Sequence, residues 1–347
     1  MGSDKTFSGR IWNGQGFEDG HLVLEDGKVK NVVFGELLGS SDYTGCIMPG
    51  IIDTHTHVAD AGLKLDRKYG LEELVAPPIG LKHRYLSETD GSKIRNDMGD
   101  YNSRLEASGV SRIIDFREGG IEGARMLRSV SEGAVILGRP ISNEYDPDEI
   151  DGILQHADGI GIPSITDMDA GYIDAIADHV HRKNKMLALH VSERIREDID
   201  KVISLEPDFI VHMVQATDSD LKKCSDNSVP ISVCPSSNMY FGMVPPVARM
   251  IDAGVEISIG TDNGMLFPSA DIFDELRTMS RLLEEQGKDP MLAYAMLLAH
   301  GHKVLYKKSL TVDKTGKKAD LVAFPCSETE LLRGKTEASV RYGPRRG

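Results

Sequence analysis

His55 and His57 stand two residues apart at the end of an apolar approach that starts at Cys46-Ile47-Met48 and runs on through Pro49-Gly50-Ile51-Ile52. Residues i and i+2 of an extended strand share a face, so the two imidazoles can converge on one metal ion. Other residues able to do chemistry close apolar runs in the same way. His190 follows Leu187-Ala188-Leu189, and His212 follows Phe209-Ile210-Val211. Asp262 follows Ile257-Ser258-Ile259-Gly260-Thr261, where a tight turn exposes it. Each also has a plain structural use. A histidine at a strand end can cap packing through a backbone hydrogen bond, and an aspartate after glycine can make an Asx-turn or helix cap.

Positioning these residues on one rim requires short parallel strands. The apolar runs 46–52, 111–116, 134–138, 157–162, 186–191, 209–214, 230–234 and 255–260 read as eight such strands. Between several of them lie periodic helical segments, including Tyr172–Arg182, Glu193–Leu205 and Val244–Ala253. That count and alternation predict a (β/α)8 barrel, whose functional residues gather at the C-terminal ends of the strands. Residues 6–34 read instead as short strands with a hairpin turning at Asp26-Gly27. Lys317–Phe324 reads as a late strand returning to them. We therefore expect a small β-sandwich built from both ends of the chain, with boundaries at 1–45 and 309–347 around a barrel of 46–308. The stretch 61–106, broken at Ala76-Pro77-Pro78-Ile79-Gly80, is too long for a tight connection; it is either a lid or an insertion packed outside the barrel.

The chain has 347 residues, 40% hydrophobic and 27% charged, as expected of a globular protein of this size. Its formal charge of -14 disfavours a polymeric nucleic acid as partner, because no basic surplus exists to displace counterions. Cys46, Cys224, Cys234 and Cys326 form no CxxC pair, so a disulfide scaffold is not expected. Met1-Gly2-Ser3-Asp4-Lys5 lacks the apolar core of a signal peptide, and no run approaches membrane-spanning length. These features read as a cytoplasmic protein with no membrane partner. Broad barrel helices make a homo-oligomer plausible without fixing its size.

PGIIDTHTH at 49–57, HVSE at 190–193, His212, PSSN at 235–238 and GTDNG at 260–264 resemble the amidohydrolase superfamily. Within it, the resemblance is to the cytosine-deaminase-like and chlorohydrolase-like branch. It spans most of the chain, from the N-terminal strands to Ala319-Asp320-Leu321-Val322. It implies that His55, His57, His190 and Asp262 hold one divalent metal ion. That donor set suits zinc first, with iron(II) or manganese also compatible. His212 would then orient the attacking water or the developing oxygen. Binuclear relatives carry a carboxylated lysine after the fourth strand; here Gly159–Asp167 contains no lysine, which points to a single-metal centre.

Glu193, three residues after His190, matches the glutamate that shuttles protons in the deaminases of that branch. Such a group is chemically required, because an amine leaves poorly until it is protonated. The residue also fits a capping-box or solvated helix start. The resemblance thus implies hydrolytic deamination of an aromatic nitrogen heterocycle with release of ammonia, through Glu193, His212 and Asp262. Dechlorination or cyclic-amide hydrolysis by the same machinery is the alternative, and a non-catalytic scaffold is a third reading. Candidate substrate contacts are Ser237 and Asn238, Arg117 and Glu118 (which can instead pair with each other), and His83 and Arg84 in the 61–106 stretch.

Overall fold

A computed structural model of the protein describes residues 4–76, 79–308, 312, 318–334 and 340–342. Pro77 and Pro78, Lys317 of the expected late strand and the tail from Gly343 onward lie outside the described residues. The chain divides into two compact units.

One unit takes its described residues from 1–52, 104–112 and 271–346. Its six-stranded mixed sheet has the order Val340–Tyr342, Leu321–Phe324, Tyr43–Pro49, Lys5–Trp12, Phe17–Glu25, Lys28–Phe34. The Asp26-Gly27 hairpin forms as expected: both residues have positive φ, at 50° and 72°, the conformation of a type I′ turn. The returning strand is Leu321–Phe324, antiparallel to Tyr43–Pro49. Phe7, Ile11, Leu22, Leu24, Ile47 and Leu321 lie at the centre of an all-apolar buried cluster beneath this sheet.

The other unit, 53–103 with 113–270, carries most of a curled parallel sheet. Its strands are β1 (Ile51–His57), β2 (Val110–Arg117), β3 (Val135–Gly138), β4 (Gly159–Ile162), β5 (Met186–Val191), β6 (Phe209–His212), β7 (Ile231–Val233), β8 (Ile257–Ile259) and β9 (Asp262–Asn263). Neighbours run β8-β7-β6-β5-β4-β3-β2-β1-β9. Only Gly260 and Thr261 separate β8 from β9, so the eighth strand pairs β7 on one side and β1 on the other, and the sheet closes into a barrel. β1 is buried along all seven residues, as both faces of a barrel strand must be.

The expected strand 46–52 is in fact two strands. Tyr43–Pro49 joins the terminal sheet and β1 begins at Ile51. Gly50 makes the break: a Cβ there would lie 2.4 Å from Asp320 Oδ1, while its own N–H donates to the Asp320 carbonyl at 3.0 Å. The expected helix 193–205 is also shorter than its periodicity suggests. It starts at Ile199, because the Asp198 carboxylate caps it by accepting from the amides of Asp200 and Lys201. Glu193 therefore lies in the loop before that helix and caps nothing. Helices Ala170–Arg182 and Val247–Asp252 match the other two expectations closely. The stretch after β1 folds into helices Leu71–Val75, Leu81–Glu88 and Gly91–Ala107.

Candidate metal centre

The C-terminal ends of β1, β5 and β6, with β9, bring His55, His57, His190, His212 and Asp262 together. His55, His57 and His190 form one group able to hold a metal ion, and His55, His212 and Asp262 form a second; in each, the donor atoms lie within 4.8 Å of one another. His57 Nε2 lies 3.3 Å from His190 Nε2. Asp262 Oδ1 lies 3.4 Å from His55 Nε2 and 3.6 Å from His57 Nε2. Donors bound to one ion at about 2.1 Å stand about 3.4 Å apart, so these separations suit a shared cation.

The protonation of His55, His190 and Asp262 agrees with that use, whereas at His57 burial, which lowers the pKa, is outweighed by Glu118 and Asp262, which raise it. His55 is wholly buried and neither ring nitrogen has a hydrogen-bond partner among the described residues. Burial pushes its pKa down to about 3, against the pull of Asp262; the imidazole is neutral and offers a lone pair. His190 Nδ1 lies 3.1 Å from the Ile162 carbonyl. An N–H must sit there to donate, which leaves Nε2 free to face the cluster. Burial also holds His190 well below its usual pKa. The Asp262 carboxyl is buried, which raises its pKa, yet His55 and the neighbouring imidazoles bring it well below the usual carboxylate range. A buried nitrogen without a partner is costly, and a cation held at His55 Nε2, the nitrogen that faces Asp262, would satisfy one of the two.

Local backbone geometry presents these groups. His212 and Met213 have φ of 75° and 56°, and Asp262 has φ of 62°; such left-handed conformations at non-glycine residues concentrate at functional sites. Gly260 must be glycine, since a Cβ would lie 2.7 Å from His55 Cβ. Asp53 joins β1 to the same turn by accepting from the Thr261 amide at 3.1 Å and its hydroxyl at 2.7 Å.

Glu193 borders the cluster. Its Oε2 lies 3.7 Å from His212 Nε2, and its Oε1 accepts from the Asn238 amide at 3.4 Å. The same Asn238 nitrogen lies 3.2 Å from His212 Nδ1. That imidazole nitrogen must therefore accept, and Nε2–H points towards Glu193. Burial raises the Glu193 pKa. Ser237 donates its hydroxyl to Asp262 Oδ2 at 2.5 Å. Ser237 and Asn238 are thus buried and directed at Asp262, Glu193 and His212.

A cavity of about 950 Å³ opens from the cluster, lined by Glu193, His212, Asp262, His83, Arg139 and Ile141 among others. His83 lies with Nε2 3.1 Å from the Val75 carbonyl, and burial pushes its pKa down to about 4. Arg84 is exposed and outside the cavity lining. Arg117 and Glu118 are buried, 3.5 Å apart, and only Glu118 reaches the cavity.

Sequence reasoning missed several residues. Lys82 lies beside Glu118, Asp60 and Asn263. Glu197 ties two loops at the cavity wall by accepting from the Ser164 hydroxyl at 2.6 Å and from the amides of Ile165 and Ser192. Arg139 lines the cavity with no hydrogen bond or ion pair to its guanidinium among the described residues. The only linear signal was the cluster Lys82-His83-Arg84 itself, and nothing in it singled out the lysine.

A profile of the amidohydrolase family matches residues 46–340. The chain belongs to the amidohydrolase family. An uncharacterized protein of Methanocaldococcus jannaschii is 30% identical over 349 residues, covering 92% of this chain and 90% of the relative. A 5'-deoxyadenosine deaminase of Methanosarcina acetivorans is 25% identical, covering 90% of this chain and 81% of that one. The solved adenosine deaminase from Xanthomonas campestris with bound zinc superposes with a TM-score of 0.72 at 16% identity, over 92% of this chain and 84% of its own. That likeness shows the shared fold.

Proposed function

We propose that this amidohydrolase is a zinc-dependent deaminase of an aromatic nitrogen heterocycle carried on a nucleoside-sized molecule. His55, His57, His190 and Asp262 hold the ion, and the enzyme works in the cytoplasm on a small-molecule substrate. When bound, such an ion acidifies water and so supplies a nucleophile near neutral pH. The observation that carries the reading is the position of Glu193: a carboxyl of raised pKa between His212 and the cavity. A carboxyl tuned upwards can both accept and return a proton near neutrality.

The overall reaction exchanges an exocyclic amine for oxygen. Water adds to the carbon, the carbon–nitrogen bond breaks, and ammonia leaves. Of the two water protons, one passes through Glu193 to the ring nitrogen. The other reaches the departing amine by way of Asp262. His212, with Nε2–H turned to the site, stabilises the oxygen. The cavity supports the nucleoside scale, since about 950 Å³ is near the upper end for small-molecule sites, and Arg139 in its wall offers a polar substituent a guanidinium that makes no hydrogen bond or ion pair among the described residues. Similarity to a 5'-deoxyadenosine deaminase and to a zinc-bound adenosine deaminase supports the reaction and the metal. Four free cysteines, three of them buried, support a reducing compartment. Among the described residues no helix is long and apolar enough to cross a membrane.

The test is ammonia release by the purified, metal-assayed protein across purine and pyrimidine bases, their nucleosides and 5'-substituted nucleosides. We expect turnover of nucleosides that stops on chelation and returns with zinc. Chloride or a ring-opened product in place of ammonia would overturn deamination in favour of dechlorination or amide hydrolysis.

A further inference from the structure

Lys82 enters from helix Leu81–Glu88, part of the stretch between β1 and β2, and only 4% of its surface is exposed. A buried ammonium is costly unless acceptors surround it. Lys82 has three oxygens. Its Nζ lies 2.5 Å from Glu118 Oε1, donates to Asn263 Oδ1 at 3.2 Å, and lies 3.8 Å from Asp60 Oδ2. Glu118 and Asn263 are within hydrogen-bond distance, and Asp60 holds the ammonium by charge alone.

Two of those oxygens lead to the metal centre. Glu118 Oε1, on the loop after β2, also lies 3.0 Å from His57 Nδ1. A neutral imidazole whose Nδ1–H faces a carboxylate has its lone pair on Nε2, the atom that meets His190 and Asp262. Asn263 is the neighbour of Asp262 on β9 and sits in register with His57 on β1. One ammonium therefore braces the supports of two donors that come from different strands. Arg139, in the same cavity, makes no such contacts.

We infer that Lys82 is a positioning residue of the metal centre, holding Glu118 and Asn263 so that His57 and Asp262 present their donor atoms to one divalent cation. The inference rests on the ligand assignment proposed above. It gives the 61–106 stretch a defined task at the site: the inserted helix supplies the cation that balances Glu118 and Asp60. Groups in direct contact with a metal ligand typically change metal affinity by about 10–100-fold when removed, and Lys82 acts through one of them, Glu118.

The test compares zinc affinity of the full-length protein and of Lys82→Met by competition with a chromophoric chelator, alongside metal content after dialysis. Lys82→Met is expected to lose at least tenfold in zinc affinity while keeping its circular dichroism spectrum. Glu118→Gln, which retains an acceptor oxygen for His57 but not the charge, is expected to lose less than Lys82→Met. A folded Lys82→Met with wild-type zinc affinity would overturn the inference, and so would a variant whose only change is a raised KM, since that marks a substrate contact. Should Lys82→Met fail to fold, unchanged zinc affinity in Glu118→Gln overturns it instead. Zinc affinity is measured without substrate, so it decides the role of Lys82 whether or not the enzyme proves to be a deaminase.

Discussion

The apolar cluster of the terminal sheet and the C-terminal ends of the barrel strands bury opposite kinds of matter. Beneath the sheet, the cluster around Phe7, Ile11 and Leu22 is wholly apolar. At the C-terminal ends of the barrel strands, Asp60, Lys82, Glu118, His55, His57, His212 and Asp262 are all buried. Apolar burial stabilises a fold by itself. Buried charge costs free energy unless it is paired, and replacing it with hydrophobic groups is often neutral or favourable. The sheet can therefore be explained by stability alone, whereas the barrel end needs a chemical reason to exist.

Glu193→Gln breaks the comparison most strongly. If the barrel end exists for chemistry, this nearly isosteric change should leave zinc content and melting temperature near wild type. Its kcat on the deaminated substrate should fall about 10²–10⁴-fold, the usual share of a general acid–base group. Metal analysis with steady-state kinetics checks both halves; near-wild-type turnover would remove Glu193 from the reaction. Leu22→Ala asks the converse question of the sheet. Truncating this fully buried leucine should cost about 2–5 kcal/mol of stability, measured by denaturant unfolding. The zinc affinity of the folded fraction should not change. A selective loss of metal binding would show that the sheet does more than stabilise.

The same contrast explains how much could be read in advance. The barrel, and the placement of His190, His212 and Asp262, were legible because each residue ends its own apolar run, a pattern local to a few positions. The Asp26-Gly27 hairpin was legible for the same reason. Lys82 was not, since its meaning lies in Glu118 and Asn263, which are remote in sequence and meet it only after folding. Glu197 likewise gathers amides from two loops. The break at Gly50 had a local mark in Pro49-Gly50, a dipeptide that favours turns, but apolar residues flank it on both sides, and the carbonyl that fixes the break belongs to Asp320. Apolar periodicity also overextended the helix at 193–205, where Ser192 takes a φ of 49° and Asp198 sets the start.

The smallest effect is expected at a charged pair outside the centre, where charge serves stability. Asp220 accepts from Arg196 Nε and Nη2, each at 2.8 Å, and from the Thr217 amide at 2.9 Å, closing a capping box at the head of helix Asp218–Asp226. The guanidinium bonds, opposed by burial and helped by Thr217, bring the Asp220 pKa down to about 2 from an ordinary 3.8. A carboxyl with a lowered folded-state pKa contributes stability that is complete above its unfolded value and is lost as pH falls through the folded one. Asp220 should therefore stabilise the protein fully above about pH 4 and progressively less towards pH 2. Arg196 is about half exposed, so solvent screening reduces the contribution to about 1–2 kcal/mol. Asp220→Asn should show that loss at pH 7 in denaturant unfolding, converge on wild type near pH 2, and retain zinc affinity and turnover. A deficit that persists unchanged to pH 2 would assign the effect to the lost cap geometry and leave the ion pair without a measurable share.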